Sequence, residues 1–151
     1  HFPVLILRLR LPIDVEPNPR NLIDKLIKYP KVINAENSVT VIPDFLEATK
    51  KLIQKRKTGI YNMTNPGAIS PSVIMGLYKK VVNPNHSFEV ITASKLYEHG
   101  LAKATRSNCI LNTDKLAGEG ILLKPINERI VEIMNEYKAN LISAKPKSKK
   151  K

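Results

Sequence analysis

One stretch leaves this chain little freedom: Thr58-Gly-Ile-Tyr-Asn-Met-Thr-Asn-Pro-Gly67, running on into Ala-Ile-Ser-Pro-Ser72. Gly59 to Met63 reads as a buried strand. Thr64-Asn65-Pro66-Gly67 stops it, because these residues favour a turn and proline has no N–H for a ladder. Ser70 then supplies an N-cap and Pro71 the first helical position, where a missing N–H costs nothing. Strand, polar turn and helix in that order call for an α/β fold. Such a turn is where α/β proteins usually place ligands, yet a plain structural connector has the same pattern. Both readings stand from this stretch alone.

The chain on either side alternates in the same way. Val4 to Leu11 is apolar enough for a strand covered on both faces, as in a parallel sheet, with Arg8 and Arg10 near its end and Pro12 terminating it. Asp14 to Pro19 is a loop, since its two prolines push their predecessors to extended conformations. Arg20 to Lys28 carries Leu22, Ile23, Leu26 and Ile27 at helical spacing. Short strands are expected at Lys31–Asn34 and Ser38–Ile42. Pro43 opens a helix to about Arg56, with a core face of Phe45, Leu46, Ala48, Thr49, Leu52 and Ile53. The helix from Pro71 to Val82 buries Val73, Ile74, Leu77, Tyr78 and Val81. Phe88–Ile91 is a strand feeding a helix capped by Thr92 and stopped by Gly100. Ala104–Asn108 is a loop, Leu111–Leu116 a turn or short helix, and Ile126–Asn140 a helix with Ile126, Ile130, Ile133, Met134 and Tyr137 on one side. No internal repeat is present.

Composition narrows the function classes. The 151 residues, 42% hydrophobic and 25% charged, suit one globular domain. No run of about 18 apolar residues occurs, so no membrane span is expected. Cys109, the single cysteine, excludes an internal disulfide and a multi-cysteine metal site, and it reads as a small core residue. The cytoplasm is the expected location. His1, His86 and His99 lie far apart, in no ligand-like spacing with carboxylates, so neither a metal site nor a Ser/His/Asp triad is expected. The net charge is +12, but five lysines fall among the last seven residues, and taking these five from the +12 leaves +7. Residues 141–151 read as a disordered Lys-rich tail after a body of 1–140. Aromatics make up 5% of the chain and do not interleave with basic residues, which argues against a nucleic-acid partner.

Two polar segments flank the central turn: Asn18-Pro-Arg-Asn21 and Thr105-Arg-Ser-Asn108. Arg20 and Arg106 can each fork onto a phosphate, and the helix start near Asn21 presents backbone N–H groups to an anion. The alternative has both arginines facing water or pairing with Glu16 or Asp114. Asn65 and Asn108 suit hydroxyls or bases and are equally at home as turn formers. Arg8 and Arg10 read as snorkelling or pairing at the sheet's edge. No G-x-G-x-x-G, Walker loop or acid/base pair appears, and no catalytic residue is assigned.

In their order, Leu7-Arg-Leu-Arg-Leu-Pro12, Asn18-Pro-Arg-Asn-Leu-Ile23, Asn37-Ser-Val-Thr-Val41, Thr58–Gly67 and Arg106-Ser-Asn-Cys-Ile-Leu-Asn-Thr-Asp-Lys-Leu116 resemble the C-terminal half of the bifunctional UDP-4-keto-6-deoxyglucose 3,5-epimerase/4-reductases of UDP-L-rhamnose synthesis. More distantly they resemble dTDP-4-dehydrorhamnose reductase and other extended short-chain dehydrogenases. The resemblance covers roughly residues 4 to 138.

It implies the substrate-binding lobe of a Rossmann-type enzyme, including a late strand of its parallel sheet. It places Leu11 and Pro12 near the nicotinamide of NADPH, Arg20, Asn21 and Asn65 about the UDP- or dTDP-4-keto-6-deoxy sugar, and Arg106 with Asn108 near the diphosphate. The full-length protein could form a homodimer. The family's glycine-rich loop, Tyr-x-x-x-Lys pair and epimerase acid/base residues are absent from this sequence, and Tyr78 has Val82 where the lysine would stand. The chain is therefore expected to be the C-terminal portion of a longer polypeptide that supplies most of the NADPH site. The alternative is a non-catalytic regulatory or binding protein that keeps the reductase fold.

Overall fold

The computed structural model describes residues 3–98, 100 and 108–144. Elements run in the order β1 (Leu5–Arg8), β2 (Pro12–Ile13), α1 (Leu22–Leu26), β3 (Lys31–Ile33), β4 (Thr40–Val41), α2 (Ile42–Gln54), β5 (Gly59–Asn62), α3 (Pro71–Val81), β6 (Glu89–Ile91), α4 (Ala93–Glu98), α5 (Asp114–Gly118) and α6 (Ile126–Ala144). The strands pair in parallel: β1 with β5, β2 with β4, and β3 with β6. The fold is therefore α/β with parallel strands.

Local signals hold where their partners are close in sequence. Ser70 Oγ accepts from Val73 N at 3.3 Å, with Pro71 next to it, so α3 starts as its cap dictates. Thr92 Oγ1 likewise accepts from Lys95 N at the start of α4. Ile126, Ile130, Ile133, Met134 and Tyr137 are all buried, and they pack α6 against α3 and the segments Leu22–Leu26 and Val39–Val41. α6 continues through 141–144, past the expected body boundary at 140.

The first strand differs from expectation. It breaks after Arg8, Leu11 takes φ 43°, and Pro12 opens β2 against Thr40 instead of closing β1. A left-handed residue rotates the peptide plane and ends one ladder before the next begins. The strand is also covered on one side only. Leu5 and Leu7 pack with Tyr61, Met63, Ala48, Leu52, Leu116 and Ile121, whereas Val4, Ile6 and Ile60 remain exposed.

Smaller corrections follow the same logic. α1 begins at Leu22, because Asn21 is its cap, and β4 is confined to Thr40–Val41, because Ile42 already belongs to α2. On α2, Ala48 and Leu52 are buried, but Leu46 and Ile53 are 60% and 62% exposed, so the core-facing stripe is narrower than the apolar residues suggest. On α3, Val73 faces outward and Met75 inward. Cys109 is partly buried.

Candidate functional site

The C-terminal ends of β1 and β5 meet the segment 37–41 in a continuous polar network. Arg10 accepts through its carbonyl from Thr40 N at 2.8 Å, and its own N–H donates to Thr40 Oγ1 at 3.0 Å. That hydroxyl donates in turn to the Met63 carbonyl at 2.9 Å. One β-branched hydroxyl residue thus ties the exit of β1 to the exit of β5, which is possible because β4 lies beside the break at Leu11. Thr64 is fully buried, and its Oγ1 has no partner among the described residues.

Asn65 closes the next turn. Its N–H donates to Val39 O at 2.9 Å, its Oδ1 accepts from Val41 N at 3.0 Å, and its Nδ2 donates to Asp44 Oδ2 at 2.7 Å and to Lys124 O at 3.0 Å. Asp44 also takes Arg129 Nε at 3.0 Å, and Arg129 Nη1 reaches Glu132 and Glu136. Burial works against the charge on the Arg129 guanidinium, but its bonds to Glu136 and Asp44 outweigh burial and hold its pKa above the usual value. Lys124 and Arg129 together hold Glu132 below the ordinary carboxylate range. The turn is therefore anchored to the start of α2 and to α6 by charge-assisted bonds.

Asn37 organises the other side. Its Oδ1 accepts from Arg10 Nη2 and from Cys109 N at 3.1 Å, and its Nδ2 donates to Ala35 O at 3.1 Å. Ser38 N donates to Cys109 O at 3.0 Å, and Leu111 N donates to Ser38 Oγ at 2.9 Å. The segment that follows Asn108 is thereby laid along residues 37–38. The backbone of Asn37 also pairs with Ile69, so the same residue touches the stretch that leads into α3.

These contacts locate the residues singled out from the sequence. Leu11 lies partly buried at the break, and Pro12 is exposed beside it. Asn65 is buried with both amide atoms spent on protein. Asn21 is buried as well: its Oδ1 accepts from Ile23 N and Asp14 N, and its Nδ2 donates to the carbonyls of Asp14 and Glu16. α1 is only five residues long, too short to act as an anion site at its N-terminus. Arg20 is exposed, its side chain reaches no acceptor among the described residues, and it does not pair with Glu16. Asn108 is exposed, and Arg106 lies outside the described residues.

The structure thus joins Asn65 and the residues after Asn108 to the ends of β1 and β5, and it leaves Arg20 and Asn21 in the loop before α1. Sequence reasoning missed Asn37, Thr40, Asp44 and Arg129. Asn37 and Thr40 stand in the motif Asn37–Val41 that carries the family resemblance, but that motif assigns neither of them a place in the site. Arg10 does not snorkel or pair with a carboxylate; it binds an amide. No cluster of His, Cys, Asp and Glu able to hold a metal occurs among the described residues, and no described helix is long and apolar enough to cross a membrane.

Protein L780 of Acanthamoeba polyphaga mimivirus is 37% identical over 113 residues, which are 75% of this chain and 38% of that protein. The bifunctional dTDP-4-dehydrorhamnose 3,5-epimerase/dTDP-4-dehydrorhamnose reductase of Arabidopsis thaliana is 34% identical over 134 residues, 88% of this chain and 44% of the relative. The chain spans less than half the length of these curated relatives. No protein-family model matches it. The crystal structure of the L780 UDP-rhamnose synthase superposes with a TM-score of 0.80 at 33% identity, covering 88% of this chain and 46% of that one. The dTDP-4-dehydrorhamnose reductase of Bacillus anthracis, solved in complex with NADP, superposes with a TM-score of 0.65 at 20% identity, over 93% and 48%, and shares the fold.

Proposed function

Because this chain belongs with the rhamnose-forming nucleotide-sugar epimerase/reductases of the extended short-chain dehydrogenase fold, we propose that it is the nucleotide-sugar-binding part of an NADPH-dependent 4-keto-6-deoxy-sugar 3,5-epimerase/4-reductase. The observation that carries this reading is the TM-score of 0.80 to a UDP-rhamnose synthase over 88% of the chain. The polar network at the C-terminal ends of parallel strands, the usual ligand position in this class of sheet, supports it.

In this proposal the sugar nucleotide lies over the ends of β1 and β5. Arg20, Arg106 and Asn108 supply donors to the diphosphate and its surroundings, while Asn21 and Asn65, whose amides are spent on protein, hold the loops that present them. Leu11 and Pro12 line the nicotinamide side. The residues present do not by themselves fit the cofactor: the sequence has no glycine-rich phosphate loop and no Tyr-x-x-x-Lys pair. The contribution of this chain is to bind and orient the sugar.

The test is turnover of UDP-4-keto-6-deoxyglucose and of its dTDP counterpart with NADPH, using the natural polypeptide that contains this chain. Formation of the rhamnose nucleotide supports the proposal. A folded protein that binds UDP but consumes no NADPH favours the non-catalytic binding protein, and one that binds neither nucleotide nor sugar nucleotide overturns both readings.

A further inference from the structure

Among the described residues, two arginines are held by side-chain acceptors, and their surroundings differ. Arg129 meets Asp44, Glu132 and Glu136. Arg10, partly buried at the exit of β1, makes its one described side-chain bond to Asn37, a neutral amide. Its Nε is shielded from solvent and reaches no acceptor among the described residues. The backbone of Arg10 is tied to Thr40 on both sides, its carbonyl accepting from Thr40 N and its N–H donating to Thr40 Oγ1. All 13 Asp and Glu residues of the sequence fall among the described residues, and none of them pairs with Arg10.

A guanidinium drawn out of water without a counter-ion is costly, and a partner that carries negative charge relieves the cost. A neutral amide such as Asn37 orients the planar fork without neutralising it. A guanidinium has further N–H donors in a planar fork, which suits an anion with two acceptor oxygens such as a phosphate or diphosphate. The site also lies at the C-terminal end of a parallel strand, next to the break at Leu11.

We infer that Arg10, aimed by Asn37, is an anion-binding residue of the site and takes the diphosphate of the nucleotide sugar. The assignment of that anion to a nucleotide sugar rests on the function proposed above. Asn37 also receives Cys109 N, so the same amide sets the position of Arg10 and of the chain that emerges after Asn108. Two elements of one diphosphate site are thereby held in register.

The experiment is calorimetric titration of the natural polypeptide that contains this chain, its Arg10→Gln variant and its Arg10→Lys variant with inorganic pyrophosphate, UDP, dTDP and NADPH, alongside thermal melts without ligand. Arg10→Gln is expected to weaken pyrophosphate and UDP or dTDP at least about tenfold. Its melting temperature should stay level or rise, because an uncompensated charge has gone. Arg10→Lys, which keeps charge but not the fork, is expected to lose less.

Undiminished pyrophosphate affinity in folded Arg10→Gln overturns the inference, as does a parent chain that pyrophosphate neither binds nor stabilises. A lower melting temperature with unchanged nucleotide affinity also overturns it, since that marks a purely structural arginine. Loss of NADPH binding alone overturns the assignment to the sugar nucleotide. Should Arg10→Gln fail to fold, Arg10→Lys decides, and unchanged pyrophosphate binding in it refutes the fork. If the parent binds UDP and Arg10→Gln binds it equally, this inference fails while the proposed function stands. Arg10-dependent pyrophosphate binding without any nucleotide binding leaves the reverse.

Discussion

Replacing Asn65 tests whether the turn after β5 is held as its contacts imply. In Asn65→Ala, the Val41 N–H loses its acceptor inside a fully buried strand, and the Lys124 carbonyl loses a donor in a place that water can reach. Asp44 keeps Arg129. A stranded buried donor costs about 1–3 kcal/mol, and a rehydrated carbonyl roughly the net value of one hydrogen bond, about 0.5–1.5 kcal/mol. The sum to expect is about 1.5–4.5 kcal/mol, read from urea unfolding as a lower midpoint at unchanged slope.

Asn65→Asp sharpens the test, because it puts an oxygen where Nδ2 lies 2.7 Å from Asp44 Oδ2. At neutral pH it should cost more than alanine. The introduced carboxyl is disfavoured as an anion in the fold, so its folded pKa is raised above its unfolded one. Its relative stability is therefore greatest below the unfolded pKa and falls as pH rises through the folded pKa. Unfolding series from about pH 7 down to about pH 4 should show this variant recovering towards the parent. A cost for Asn65→Ala under about 0.5 kcal/mol, or an Asn65→Asp curve parallel to that of the parent, would refute the reasoning.

Further consequences are checked by similar measurements. Gly67 has φ 91°, and a Cβ there would lie 3.4 Å from Ile126 Cγ2, so Gly67→Ala should lower stability by about 1–2 kcal/mol in chemical unfolding and loosen the start of α6. Burial and the carboxylate of Asp24, to which the phenol donates at 3.1 Å, push the Tyr137 pKa up. The stability this group contributes is full below about pH 10, its unfolded value, and is lost as pH rises through the folded one; Tyr137→Phe should flatten that alkaline loss and cost about 1 kcal/mol at neutral pH. Bonds from Lys57 and Tyr61 hold the Glu119 carboxyl below its usual range, so its contribution is present above the unfolded pKa and fades as pH falls through the folded one. Melts of Glu119→Gln should accordingly differ from the parent at neutral pH and converge with it in acid.

Much of this molecule was legible in the sequence because it depends on neighbours. The Ser70–Pro71 helix start, the buried stripe of α6 and the turn at Thr64–Gly67 follow from capping, from i,i+3 and i,i+4 spacing and from proline and glycine geometry. α2 shows the boundary of such reasoning: Leu46 and Ile53 satisfy an apolar pattern, yet the neighbours packed on α2 cover only Ala48 and Leu52 fully.

The site itself was decided by contacts that no local rule specifies. Arg10 and Asn37 are 27 residues apart, Asn65 and Lys124 are 59 apart, and Asn37 and Cys109 are 72 apart. The left-handed turn at Leu11, which follows a strand shorter than expected, brings β2 beside β4 and lets Thr40 join the ends of β1 and β5. The sequence by itself determined the α/β alternation and the starts of α3 and α6, because caps, turns and periodicity act over a few residues. Only the tertiary structure decided that Arg10 stands without a counter-ion among the described residues while Asn21 and Asn65 are spent on the framework. A polar group's role depends on which distant partners close around it, and strand pairing together with the packing of loops and helices brings those partners together.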